Sequence, residues 1–394
     1  MDLSVALNRV LPVKSLDRDL KLIFLSNIVG AFGDGLYVYI LPLFIRGLKA
    51  SSADVGFLFS IYTLSTALTI IPGGFLADRF DRKKVIILGW LIWVPVPLVF
   101  SVATYWSQLV PVMGVYGFFI SGPATSAYVM TRAKKDSVTL TYTMLSGSWW
   151  FGYILSPGLG GYLSTQIGMQ GVFFLAFVFY LAATGVLFFI KSQRVEKPAM
   201  PQTDILSSPS HRRKIVLLSL FFAAAFFFLS LVRPLVVQLF QDVHQLESFH
   251  IGVLGSIGFL GSALFSIGIG RFGDRFGKMT AATVSLLISG LSFGLFVVFS
   301  HFYALTFASF LNGASYTLWP LMGASVGSIA PEASRGRWIS VSQMSATLAG
   351  SIAPYLGGII YESSPYTPFF IVMAISPLLA LIALTKPFKE SKTS

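Results

Sequence analysis

The 394-residue chain is predicted to be an all-α integral membrane protein: twelve transmembrane helices in two pseudo-symmetric six-helix bundles, with both termini cytoplasmic. Composition is the first ground. Hydrophobic residues make up 55% of the chain and charged residues 11%, with a mean hydropathy of +0.76, whereas a soluble domain carries about 25% charged residues. The second ground is a repeat half a chain apart, and the third is the placement of the basic residues.

The repeat begins at Val55–Lys84, an apolar run that ends in Asp78, Arg79, Asp81, Arg82, Lys83 and Lys84. Ile251–Lys278 restates it at an offset of 196, so that Gly56 falls on Gly252, Ser60 on Ser256, Gly74 on Gly270, Asp78 on Asp274 and Arg79 on Arg275. Ser156–Leu163 (SPGLGGYL) likewise matches Ala353–Ile360 (APYLGGII) at an offset of 197. Two such echoes mean an internally duplicated protein.

A membrane-spanning helix needs about 20 mostly apolar residues. Twelve segments qualify, at roughly 21–47, 54–77, 84–104, 106–130, 139–165, 169–190, 214–241, 249–272, 279–300, 302–328, 337–361 and 367–386. The polar, Pro/Ser-rich stretch 191–213 reads as a cytoplasmic linker. It divides an N-terminal bundle, residues 1–190, from a C-terminal bundle, residues 214–394. The first residues lack a signal-peptide core, so the first span is expected to drive insertion. Of the 28 Lys and Arg, 25 fall on one set of alternate loops and the ends. That asymmetry places those loops in the cytoplasm and explains the net charge of +12 by topology and lipid contact rather than nucleic acid.

The loop after the second segment then points to a family. Gly74, Leu76, Ala77, Asp78, Arg79, Arg82 and Lys83 match the G-x-L-A-D-R-x-G-R-K signature, with Asp81 in place of the usual glycine. The second copy keeps Gly270, Asp274, Arg275, Gly277 and Lys278. Pro331, Glu332, Arg335, Gly336 and Arg337 are similar to the loop between helices ten and eleven of the same family. The chain resembles the major facilitator superfamily throughout its length, closest in motifs to its twelve-helix drug–proton antiporter branch. The resemblance implies that Asp78 and Asp274 meet the N-termini of helices eleven and five when the halves close on the cytoplasmic side. A carboxylate there is favoured by about 0.3–1 kcal/mol, so Gly74, Asp78, Arg79, Arg82, Lys83, Gly270, Asp274, Arg275, Lys278, Arg335 and Arg337 are the gating candidates.

An ionisable residue within the membrane costs about 2.5–3.5 kcal/mol on insertion scales and points to function. Asp34 lies roughly 18 Å into helix one at 1.5 Å per residue. With Asn27 and Tyr37 it forms a partly polar stripe expected to face a cavity. Burial away from counter-charges favours the protonated form of a carboxyl group, so Asp34 is the candidate for taking up and releasing a proton; a hydrogen-bonded structural carboxyl is the alternative. Arg233, about 10 Å from the outer end of helix seven, either binds an anion, pairs with Asp34, or snorkels to the headgroups.

Helix five carries Tyr142, Trp149 and Tyr153 on one face; helix ten carries Asn312, Tyr316 and Trp319, and helix eleven Gln343. In the family fold these helices border the central cavity, which makes them lining candidates for an amphiphilic or aromatic substrate. The sixth segment has almost no polar surface and is expected to face lipid and its own bundle. Gly152, Pro157, Gly160 and Gly161 resemble the helix-five signature of the family's antiporters, and Pro354, Gly357 and Gly358 echo it in helix eleven. One departure stands out: the arginine usual in helix four of drug–proton antiporters falls on Phe118.

No phosphate-binding loop, metal-ligand cluster or nucleophile triad is present in the sequence, which also lacks cysteine. The expectation is a non-enzymatic secondary transporter in the cell membrane, working as a monomer without a cofactor or metal. It would export amphiphilic small molecules by proton-coupled alternating access. Uptake or exchange of a small organic anion on Arg233 is the alternative, and ligand sensing without transport is a third.

Overall fold

A computed structural model describes residues 16–133, 138–194, 209–330 and 335–385, and among them every regular element is helical. In the first half these are α1 (Arg18–Val38), α2 (Leu41–Gly47), α3 (Ser52–Arg79), α4 (Arg82–Trp93), α5 (Pro95–Val102), α6 (Leu109–Tyr116), α7 (Ser121–Arg132) and α8 (Val138–Leu187). In the second half they are α9 (Pro209–Val232), α10 (Leu235–Asp242), α11 (Ser248–Phe276), α12 (Lys278–Val298), α13 (Phe302–Asn312), α14 (Leu318–Gly327), α15 (Arg335–Ser363) and α16 (Thr367–Ala383). Eight of the described helical stretches are long and apolar enough to cross a membrane. The predicted tenth and eleventh segments coincide with α13–α14 and α15, and the twelfth with the shorter apolar α16.

Local chemistry sets the ends and breaks. Asp17 caps α1 by accepting from the Leu20 amide at 2.8 Å. Ser51 and Asp54 close a reciprocal capping box on α3, satisfying donors the helix start leaves open. Proline explains two interruptions: α5 restarts at Pro95, and Arg233–Pro234 separates α9 from α10, because proline lacks the amide hydrogen a continuing helix needs. α8 runs through the predicted fifth and sixth segments and bends at Gly168, whose φ of 70° suits a residue without a side chain.

The two copies of the signature loop solve the next turn differently. Gly277 adopts φ 101°, a conformation that favours glycine. Asp81, which replaces the glycine, sits at φ −55° and caps α4 by accepting from the Lys83 amide at 3.0 Å. It also accepts from the Gln193 amide at 3.1 Å and from the Ser192 hydroxyl. Burial pushes its carboxyl up, but these hydrogen bonds, with Lys84 nearby, outweigh that and hold it below its ordinary value. The substitution therefore ties the beginning of the linker to the first half.

Within the halves, α1 packs along α8 and α9 along α15; between them, α3 packs on α15 and α11 on α8. Small residues make both pairs of contacts, in duplicate. A Cβ on Gly160 would stand 1.7 Å from the Leu36 carbonyl, and one on Gly357 2.0 Å from that of Leu231; these glycines join helices of the same half. Their neighbours face across. A Cβ on Gly161 would meet the Ser248 carbonyl, and one on Gly358 the Ser52 carbonyl, each at 2.3 Å. Gly252 lies against Pro157 and Gly56 against Pro354 in the same way, at 2.3 and 2.1 Å. Beyond each proline the chain uses a free amide: Gly158 donates to Ser256 at 3.0 Å and Tyr355 to Ser60 at 3.1 Å. The glycine-proline motifs are thus the packing surface of the halves, with Gly152 set against Ala31 and Phe32 of α1.

These contacts crowd the end where α3 and α11 begin. At the opposite end Asp78 and Asp274 are exposed and, among the described residues, have no hydrogen bond or ion pair. A Cβ on Gly74, Gly270 or Gly336 would meet nothing within 4 Å. Among the described residues, the halves are closed at the end where α3 and α11 begin, and no contact between them is seen at Asp78 or Asp274.

Candidate functional site

Asp34 lies between two hydrophobic clusters of the first half, 6% exposed. A carboxyl group buried there requires donors, and three tyrosines supply them. Tyr116 of α6 donates to Oδ1 at 2.5 Å, Tyr153 of α8 to Oδ2 at 2.5 Å, and Tyr180 of α8 to Oδ1. Gly35 and Gly33 make the close approach possible: a Cβ on Gly35 would stand 2.9 Å from the Tyr153 ring, and one on Gly33 2.6 Å from Phe179. Of the stripe expected to face a cavity, only Asp34 reaches a residue of the interface between the halves. Tyr37 is fully buried among Phe100, Tyr116 and Phe173, with its hydroxyl 3.3 Å from that of Tyr180. Asn27 turns inward as well, donating to the Leu145 carbonyl at 3.2 Å and to Ser148 at 3.0 Å. Both are held inside the first half because helices of that half cover their side of α1.

Tyr153 connects this cage to the other half. Its ring lies 4.8 Å from Phe259 of α11 at 23°. Phe259 and Trp150 both meet Tyr316, at 5.7 and 5.8 Å, and the Arg233 guanidinium lies 4.9 Å over the Tyr316 ring. Arg233 is exposed at the break between α9 and α10. Among the described residues it has no carboxylate partner, so it neither pairs with Asp34 nor is neutralised. Beside Tyr316, a void of about 10 Å³ is bordered by Tyr39, Phe259, Ser309 and Asn312. Among the described residues, the Ser309 hydroxyl and the Asn312 amide nitrogen both lack a partner.

The remaining lining candidates divide. Trp149 lies between Trp90 and Tyr153, at 5.9 and 6.3 Å, and is part of the first half's packing. Trp319 is 36% exposed and packs edge-on to Phe226. Gln343 is half-buried on α15. Tyr142 lies on α8 and Arg335 opens α15, but their side chains are outside the described residues, as are Pro331 and Glu332.

The signature-loop residues also separate by role. Arg82 donates to Thr131 at 2.6 Å and Gln193 at 2.9 Å, and Lys83 to the Phe188 carbonyl at 2.7 Å, all within the first half and its outgoing chain. Arg79 lies over Phe75, and Arg275 over Phe276; Arg337 is exposed, and Lys278 starts α12. Arg132, at the end of α7, binds Asp17 at 3.1 Å and the fully buried Asp19 at 2.5 Å, which fastens it to α1 far from Asp34.

Sequence reasoning did not identify Tyr116, Tyr180, Trp150 or Phe259. Tyr180 lies in the sixth segment, read as facing only lipid and its own bundle; a phenol hydroxyl in an otherwise largely apolar run was the available signal. The closed end was missed too. Arg46 and Asp242, at equivalent positions in the repeat, meet at 3.5 Å across the halves. Ser52 donates to Gln238 at 2.7 Å, Tyr361 to Asp242 at 3.2 Å, and the Ala53 amide to Glu362 at 3.0 Å.

The sequence profile described as Major Facilitator Superfamily matches residues 23–246 and 218–394. Multidrug resistance protein 2 of Bacillus subtilis is 26% identical over 392 residues, covering 94% of this chain and 95% of that protein. Multi-drug resistance efflux pump PmrA of Streptococcus pneumoniae is 26% identical over 393 residues, covering 92% and 95%. Among solved structures, the nucleoside transporter NupG superposes with a TM-score of 0.76 at 15% identity, over 95% of this chain and all of that one. A POT family transporter gives 0.76 at 15%, over 94% and 98%; at such identities the likeness speaks for the fold alone. With the profile matched in both halves, the chain belongs to the Major Facilitator Superfamily.

Proposed function

We propose that this protein is a secondary transporter that exports amphiphilic, drug-like molecules in exchange for protons, with Asp34 as the proton-carrying group. Relatives along nearly the whole chain are named as multidrug resistance proteins, which supports the export of such compounds. The membrane arrangement that goes with this reading is twelve spans in two bundles, residues 1–190 and 214–394, joined by the linker 191–213. Both termini lie in the cytoplasm, and the protein works as a monomer in the cell's plasma membrane with no cofactor beyond the proton gradient. The end that carries the signature loops then faces the cytoplasm, and the described state is open inward.

One observation carries the coupling: Tyr153 holds Asp34 with its hydroxyl and Phe259 of the other half with its ring. A hydrogen bond to a charged group contributes about 1.5–3 kcal/mol. While three phenols donate to Asp34, the carboxylate is satisfied. Substrate bound in the inward-open state leaves the Tyr153 ring in place, whereas rocking of the halves about the midplane draws it away. The Asp34 carboxyl group then loses one of its three donors. Proton uptake is thereby tied to the state of the interface without an arginine in helix four. Closing the cytoplasmic side would bring Asp78 and Asp274 to the starts of α15 and α8 as the alternate latch.

Transport in proteoliposomes tests the reading. A fluorescent amphiphile should accumulate against its gradient when a pH gradient is imposed, and Asp34→Asn should retain only downhill movement. Undiminished proton-driven accumulation in that variant would remove Asp34 from the mechanism.

A further inference from the structure

We propose that the ring cluster between the halves is a binding site for planar aromatic anions, with Arg233 contacting the ligand's carboxylate or sulfonate. This rests on the transport reading above and narrows its substrate class. The accessible charge at the interface is the first ground. Asp34 is 6% exposed, and its oxygens face three tyrosine hydroxyls. A cationic ligand would have to displace a phenol to reach it. Arg233 is the reverse: exposed, and without a carboxylate partner among the described residues, where Arg46 and Arg132 have theirs. A guanidinium kept in an apolar segment is costly unless it meets an anion or a water-filled cavity, and its planar fork suits a carboxylate bidentately.

The surroundings supply the aromatic part. Trp150 and Tyr153 from one half meet Phe259 and Tyr316 from the other, with ring centroids 4.8–6.1 Å apart. Rings from both halves can close on a flat ligand and open again as the halves move. The Arg233 guanidinium already lies on the Tyr316 face, so a ring against the cluster brings its acidic substituent to the cation. The unpartnered groups agree in sign: the Asn312 amide nitrogen donates only, and the Ser309 hydroxyl can donate, toward the void beside Tyr316 and Phe259. A void of about 10 Å³ has room for roughly one water, or for one carbonyl or carboxylate oxygen of a ligand.

Binding of matched probes to the full-length protein in lipid nanodiscs, by calorimetry, provides the test. The probes are 1-naphthoate and 1-naphthylmethylammonium, which share a ring and differ in charge. Wild type should bind the naphthoate at least about tenfold more tightly, a difference of about 1.4 kcal/mol. Arg233→Gln should lose that preference and keep the affinity for the ammonium probe; Arg233→Lys should retain part of it. Equal affinities for the two probes in wild type would overturn the proposal, as would unchanged naphthoate binding in folded Arg233→Gln. The wild-type comparison stands even if the variants fail to fold. The transport reading fails separately: naphthoate binding with proton-independent export contradicts the coupling alone, whereas proton-driven export of the ammonium probe without naphthoate binding contradicts the anion site alone.

Discussion

Tyr153 and Phe259 stack across the interface of the two halves at 4.8 Å, while the Tyr153 hydroxyl holds Asp34 at 2.5 Å. One side chain thus touches both the interface between the halves and the buried carboxyl group. In Tyr153→Phe the ring contact survives and the hydrogen bond is lost. Downhill export should continue at near wild-type rates, while proton-driven accumulation falls about tenfold, the scale of one such bond. Flux measured with and without a pH gradient separates the two effects.

Gly56 lies against the Pro354 carbonyl, and Gly252 against that of Pro157. An added methyl group at either position overlaps backbone, which cannot turn aside as a side chain can. Gly56→Ala and Gly252→Ala should each open the closed end and shift the population outward by about tenfold, within the usual 1–3 kcal/mol range of conformational coupling. The chain has no native cysteine, so spin labels at Gly47→Cys and Glu247→Cys can read that distance directly. An unchanged distance distribution in the alanine variants would exclude these glycines as the packing hinge.

Glu362 gives the closed end a pH dependence. The Ala53 amide and then Ser51 hold its carboxyl below the ordinary value; with Arg46 and the Ser52 amide they outweigh the opposing effect of burial. Asp242 faces the same Arg46. Because the value is lowered in the closed state, the stabilisation is present above the ordinary value near 4.5 and is lost as pH falls through the lowered one. Acidifying the outer face should therefore populate the outward-open state, and Glu362→Gln should flatten the response. The same spin labels, followed from pH 7 to about pH 3, check both outcomes.

The differing turns after the signature loops have opposite tolerances. Gly277→Ala forces a side chain into the left-handed region and should cost about 1–2 kcal/mol. Asp81→Ala loses a helix cap, about 0.5–2 kcal/mol, and removes the bonds from Ser192 and the Gln193 amide, leaving Arg82 to hold Gln193. Thermal unfolding in detergent measures the cost, and limited proteolysis at the linker should quicken only in Asp81→Ala.

The duplication was legible because both copies keep the same small residues at the same spacing. Gly160 and Gly357, with Gly161 and Gly358, then proved to divide contacts within and between halves identically. Asp34 was legible as a lone carboxyl group in an apolar segment. Its partners were not, since Tyr116 and Tyr180 reach it only through the rotation and depth of two helices, which periodicity leaves open. Tyr180 is the clearest case, a phenol in a segment that otherwise resembles a lipid-facing helix. The Arg46–Asp242 pair was hidden differently: each residue is ordinary near a helix end, and only the pseudo-twofold packing brings them to 3.5 Å.

Proton release on substrate binding tests the coupling most directly. The purified protein in weakly buffered detergent, loaded with protons at low pH and titrated with substrate, should release one proton per substrate bound; the stoichiometry follows from the single carboxyl group in the cage. Release should vanish in Asp34→Asn while substrate still binds. Full release from Asp34→Asn would contradict the account.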